Sequence, residues 1–154
     1  MSRHAPKVAL VPSAFFDAAS AREVLSQTVI LDPDDKVGYI SLPEFSAELV
    51  YSLSDSGYPE LYYLLKALAG ISDHNRIAAS YKDGFLHLAI SQGNDLLLAN
   101  VFEAADFTTA EYFLFMAVRK LQLNPEVSSV YFRTPLSEEE EMSLYRYFKS
   151  VEKI

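Results

Sequence analysis

The sequence predicts an α/β protein in two parts, the second more complete than the first. Three observations predict it. Short apolar runs joined by Asp83-Gly84 and by Gly93-Asn94 mark an antiparallel meander. Ser/Thr-x-x-Glu signatures stand ahead of apolar segments, where hydroxyl and carboxylate satisfy backbone donors at a helix start. Strand-like and helix-like runs alternate on both sides of the meander.

Lys7 to Val11 is an apolar run ending at Pro12, the pattern of a strand buried on both faces. Ser13 to Asp17 follows as a turn of helix, and Ser20 with Glu23 forms a capping box for a second piece. Asp32-Pro33-Asp34-Asp35 reads as a loop. Lys36 to Leu42 and Ala47 to Leu53 read as strands around Pro43-Glu44, and Ser54-Asp55-Ser56-Gly57 as a turn. Pro59 suits the first turn of a helix reaching Ala69, with Leu61, Leu64, Leu65 and Leu68 on its apolar face and Gly70 at its end.

The meander follows: Arg76 to Tyr81, Phe85 to Ser91 and Asp95 to Glu103. Thr108 and Glu111 form a second capping box. The helix they open, to Leu121, is apolar nearly all round, which predicts a covered element. Asn124-Pro125 stops it, and Ser128 to Arg133 returns as a strand through a right-handed crossover. Ser137 and Glu140 form a third capping box for a last helix reaching Val151, with Leu144, Tyr145, Phe148 and Val151 inward.

From residue 76 the order is β-β-β-α-β-α, characteristic of the ribonuclease-H-like fold shared by ribonucleases H, actins, Hsp70-type ATPases and sugar kinases. The first part reads β-α-β-β-α, an incomplete version of a similar half. The expected organisation is therefore residues 1–75 as the incomplete first half of an actin-like fold and 76–154 as a ribonuclease-H-like second half.

Composition narrows the chemistry. Cysteine is absent, so this chain has no disulfide, thiol nucleophile or cysteine zinc site. Net charge is −8, and both halves are acidic, with 5 basic and 10 acidic residues in 1–75 and 8 and 11 in 76–154. A phosphate backbone needs clustered cations, so nucleic acid is not an expected partner. No run approaches a membrane span, and the short run at Val8–Val11 is no secretory signal; a soluble, cytoplasmic protein is expected.

Metal-dependent nucleases hold two ions on clustered carboxylates. Here Ile77-Ala78-Ala79-Ser80-Tyr81 and Val130-Tyr131-Phe132 carry none, and Glu111 is read as a capping residue. Asp32, Asp34 and Asp35 are followed by Lys36 and Val37, so they read as a solvated turn and not a calcium loop. Glu138, Glu139, Glu140 and Glu141 sit where a helix start favours negative charge. His4, His74 and His87 have no metal spacing, and His87 reads as a packed or half-exposed sheet residue.

Two sets remain as candidate binding residues. Asp83 and Gly84 stand at the hairpin where an actin-type ATPase carries a phosphate loop, so ATP with Mg is the ligand they would take. The plainer reading is a tight type I′ turn, since no second glycine and no Ser or Thr follows. Tyr58, Tyr62 and Lys66 stand at i, i+4, i+8 off the leucine face. They form either a surface for a partner helix or strand, or an aromatic stripe packed under another segment.

Asn100-Val101-Phe102, Tyr112-Phe113-Leu114-Phe115, Leu144-Tyr145-Arg146-Tyr147-Phe148 and the early Leu10-Val11-Pro12-Ser13-Ala14-Phe15-Phe16 resemble the bacterial domain-of-unknown-function family 3822. The resemblance implies an actin-like ATPase fold, chains longer than this one, an uncharacterised role and no catalytic residues to carry over. This chain then corresponds to the middle and later portion, as a short member or as a fragment. A fragment should leave an edge strand exposed near 7–11 or 37–42. The leading expectation is a non-catalytic interaction or scaffold domain without cofactor. The alternatives are a nucleotide-binding ATPase or kinase relative, and a self-associating domain pairing through an edge strand.

Overall fold

The computed structural model describes residues 6–53 and 58–154. The turn expected at 54–57 and His4 lie outside them. Two sheets organise the described chain. The first contains β1 (Val8–Pro12), β2 (Val37–Leu42) and β3 (Ala47–Ser52), all antiparallel in the order β1-β3-β2. The second contains β4 (Asn75–Lys82), β5 (Phe85–Gln92), β6 (Asp95–Glu103), β7 (Ser129–Phe132) and β8 (Ser150–Lys153) in the order β6-β5-β4-β7-β8. β4, β5 and β6 are antiparallel, whereas β7 runs parallel to both β4 and β8. The helices are α1 (Ala21–Ser26), α2 (Glu60–Ala69), α3 (Phe107–Lys120) and α4 (Glu138–Tyr145). None is long and apolar enough to cross a membrane.

Strand alternation assigns each face. Val50, Ala9, Val11 and Val37 point to one side of the first sheet and meet Ala21 and Leu25 of α1. Leu42, Leu49 and Tyr51 point to the other and meet the buried leucines of α2, at positions 61, 64, 65 and 68. The same stripe rests on the second sheet at Ala78 and Ala89, which face each other across β4 and β5. Two alanines side by side leave room for leucines to close onto the strands. One helix thus packs against both sheets, and residues on either side of position 75 share a core. The opposite face of the second sheet, with Ile77, Leu86, Leu88, Ile90, Val130 and Phe132, is covered by α3 and α4.

The structure corrects several expected boundaries, caps and burial patterns. The last helix stops at Tyr145, and Val151 belongs to β8. Leu144, Phe148 and Val151 are all buried at a helix-like spacing, but the intervening turn is held by Lys149 N–H donating to Ser128 O at 2.9 Å. Tyr145, expected inward, is 48% exposed. β1 is an edge strand of intermediate burial, not one buried on both faces.

α3 buries only Ala110, Leu114 and Val118, leaving Tyr112 and Met116 exposed; its apolar character overstates its cover. Its start is capped by Asp106, which accepts from Thr109 N–H at 2.8 Å, and not by Thr108. A carboxylate two residues earlier, at the helix boundary, outcompetes a hydroxyl already inside the helix. Glu111 instead accepts from the Ser143 hydroxyl at 2.9 Å, joining α3 to α4. Ser20 makes no side-chain cap, because a 3-10 turn over Ala18–Ser20 moves the start back to Asp17, which accepts from Ala19 N–H.

The box at Ser137 and Glu140 forms reciprocally, at 3.1 and 2.9 Å. Ser137→Ala should cost about 1 kcal/mol. Chemical denaturation should show that loss, and Ser137→Asp should restore most of it; equal stability of all three proteins would remove the cap's role.

Candidate functional site

A cleft of about 670 Å³ opens between the two sheets beside the N-terminus of α2. Lys7, Asp32, Asp35 and Ser52 line it from the first sheet and its preceding loop. Tyr58, Glu60, Tyr63, Lys82, Asp83, His87 and Arg133 line it from the other side. The parallel strands β4 and β7 both end here, the end of an open α/β sheet at which ligands bind.

Glu60 is the hub of the second wall. One carboxylate oxygen accepts from Arg133 Nε and from the Ser80 hydroxyl, both at 2.7 Å, and the other accepts from Arg133 Nη2 at 3.4 Å. Burial works against ionisation of this carboxyl. The bonds from Arg133 and Ser80 outweigh it, and its pKa lies below the usual glutamate value. The Arg133 guanidinium also lies 5.0 Å over the Tyr63 ring. Arg133 leaves β7 with its N–H donating to Ala79 O at 2.9 Å, so the ion pair ties the start of α2 to β4 and β7.

On the first wall Lys7 Nζ donates to Asp35 at 2.6 Å, with Asp32 at 3.7 Å. The Lys7 bond holds the Asp35 carboxyl below its ordinary pKa, helped by the Asp32 N–H and the Ser52 hydroxyl. Asp35 is thus bonded within the first lobe and not simply solvated, as the loop reading implied.

His87 is buried at 6% exposure, on the same sheet face as Ser80 opposite it. Burial lowers its pKa, leaving a neutral ring near neutral pH, and Nδ1 is enclosed without a hydrogen-bond partner.

Asp83 lines the cleft, and Asp83 and Gly84 have φ of 52° and 80°, the positive pair that a type I′ turn requires. The Gly84 carbonyl accepts from Ala104 N–H at 2.8 Å, so it serves the second sheet's own turn. Tyr58 lies 4.7 Å from the Tyr62 ring and 6.1 Å from Tyr51, and Tyr62 is half-buried. Lys66 pairs with Glu44 at 2.9 Å. The i, i+4, i+8 stripe therefore fastens α2 to the first sheet, with Tyr58 still 45% exposed.

Glu60, Ser80, Arg133, Lys7 and Asp35 were not singled out as site residues from sequence. Glu60 and Arg133 are 73 positions apart, and no local pattern pairs residues at that distance. Among the described residues no group of three or more His, Asp or Glu side chains is arranged to hold a metal ion.

No curated protein matches the chain. A crystal structure from Bacteroides thetaiotaomicron VPI-5482, described as a protein with actin-like ATPase fold and unknown function, superposes with a TM-score of 0.77 at 18% identity. The match covers 96% of this chain and 65% of that one, so this chain spans under two thirds of its length. At that identity the likeness shows a common fold. The model of one family, described as proteins of unknown function, matches residues 56–151, from the connection before α2 to β8: the chain belongs to that family, DUF3822.

Proposed function

We propose that the chain is a non-catalytic interaction domain on an actin-like frame. Residues 76–154 form a ribonuclease-H-like half, residues 1–75 an incomplete first half, and the domain binds a protein partner in the cytoplasm. The observation that carries the reading is the charge state of the cleft. Its lining includes Asp32, Asp35, Glu60 and Asp83 against Lys7, Lys82 and Arg133. Lys7 and Arg133, one from each wall, are already bonded to carboxylates. A triphosphate brings several negative charges and needs a surplus of donors, which a lining of four carboxylates and three cations does not supply. The β4–β5 connection, a two-residue turn, is also too short to wrap a phosphate chain.

A second reading, a nucleotide-binding ATPase or kinase relative, draws on Asp83 lying on the cleft between the sheets. Calorimetric titration with Mg-ATP separates the two. The interaction reading expects no saturable heat up to millimolar nucleotide. Micromolar binding abolished by Asp83→Ala would overturn it.

A further inference from the structure

We propose that the outer face of α3 and α4 binds the same face of a second copy, about a twofold axis that sets α4 antiparallel to its equivalent. This rests on the interaction-domain reading and names its partner and surface. The two helices run side by side in one direction. Glu111 meets Ser143 at 2.9 Å, and the Phe115 ring lies 4.1 Å from that of Tyr147, four residues further along each. α3 turns Ala110, Leu114 and Val118 to the core. Tyr112, Met116 and Arg119, at i, i+4 and i+7, therefore share its outer side. α4 turns Leu144 inward, so Glu139, Met142 and Arg146 share its outer side at i, i+3 and i+7.

The middle of this face is apolar. Tyr112 is 58% exposed and Met142 65%, and Met116 and Tyr147 are exposed as well. Phe115, in ring contact with Tyr147 and one turn from Tyr112, joins the apolar positions of the two helices. A single exposed apolar side chain needs no explanation, but a joined band rimmed by charge marks an interaction surface. The end where both helices start carries exposed Glu138 and Glu139. The cations at that end are Lys153, on the tip of β8, and Lys82 and Arg133, which line the cleft on the other face of the sheet. The end where both helices finish carries Arg119, Lys120, Arg146 and Lys149 against Glu126. Among the described residues, Glu138, Glu139, Arg119, Lys120 and Arg146 make no ion pair. Backbone dipoles account for acids at helix starts and bases at helix ends. They do not account for the exposed Tyr112, Met116 and Met142 between them.

This order of acid, apolar middle and base is complementary to itself when reversed. Positions 139 and 146 lie equally far from the midpoint of 142 and 143. Antiparallel pairing about that midpoint sets Glu139 of each copy opposite Arg146 of the other, at both ends, and brings the two Met142 side chains together on the axis. Parallel pairing would oppose like charges at both ends. An anionic membrane would attract the basic end and repel the acidic one. The net charge of −8 on each copy is screened beyond about 8 Å at physiological salt, and the closer Glu139–Arg146 contacts are screened far less.

Sedimentation velocity on the whole chain tests this. The wild type should show a monomer–dimer equilibrium. Glu139→Arg and Arg146→Glu each place like charges at both ends, so each alone should weaken dimerisation by about tenfold or more. The two variants mixed should form a heterodimer of near wild-type affinity, because each end regains an opposite pair. Met142→Lys, on the axis, should abolish the dimer independently. All three side chains are exposed, so the denaturant midpoint should stay unchanged. A chain that stays monomeric up to millimolar protein would overturn the proposal and leave the interaction reading to another partner. A dimer that all three variants leave intact would place the contact elsewhere, and losses that mixing does not restore would overturn the antiparallel pairing. A monomer that binds vesicles containing phosphatidylserine would make a lipid surface the occupant. The interaction reading itself is decided by the Mg-ATP titration above.

Discussion

Leu64→Ala should lower the unfolding free energy by about 2–5 kcal/mol, the range for deleting a buried leucine side chain. Leu64 is fully buried in α2, within a cluster that includes Leu49 and Tyr51 of the first sheet and Ala78 and Ala89 of the second. The alanines beneath it cannot extend into the space left behind, so the cavity should persist. Because the helix packs on both sheets, the loss should be global. The denaturant midpoint should fall with an unchanged slope, and amides in β3 and β5 should lose protection together. A loss under about 1 kcal/mol would mean that the site collapses. A biphasic transition in which β5 keeps its protection would mean that α2 does not couple the sheets.

The leucine spacing that makes this substitution costly was legible in the sequence, and so were the meander and its Asp83-Gly84 turn. Each is encoded locally, by a period or by a backbone conformation that few residues adopt. What escaped is held by partners distant in sequence. In sequence β8 reads as the end of a helix, because Leu144, Phe148 and Val151 keep a helical interval. Only pairing with β7, as Val151 opposite Val130, makes residues 150–153 a strand. The same holds for the cleft. Asp83 is a sequence candidate only under the nucleotide-binding alternative, by analogy of element order; it lines the cleft, in the tight turn that is its plainer reading. Glu60 resembles any acidic residue at a helix start until β4 and β7 bring Ser80 and Arg133 to it. The expected edge strands are present too, since a three-stranded sheet ordered β1-β3-β2 leaves two open sides.

Breaking the Glu60–Arg133 pair should destabilise the protein in a pH-dependent way whose sign follows from the depressed Glu60 pKa. A carboxyl with a folded pKa below its unfolded value contributes stability that is fully present above the unfolded value, about 4.3. That contribution is lost as pH falls through the folded value. Arg133→Ala removes the guanidinium and leaves a carboxylate whose side chain is 14% exposed, with the Ser80 hydroxyl still donating to it. Burial then dominates, and the Glu60 pKa should rise above the ordinary glutamate value. At neutral pH the cost should be about 1–3 kcal/mol, below that of a fully buried pair because the Arg133 side chain is 35% exposed and solvent screens it. The gap between wild type and variant should be constant from about pH 6 to 8 and narrow below about pH 5, as the variant's Glu60 protonates first. Glu60→Gln should cost less, since the amide oxygen still accepts from Arg133 and the guanidinium can take up water. Side-chain NMR titration of Glu60 reads the shift directly, and denaturation across pH reads its consequence. A gap that widens on acidification, or a Glu60 pKa unmoved by Arg133→Ala, would show that the pair does not set the charge state of this wall.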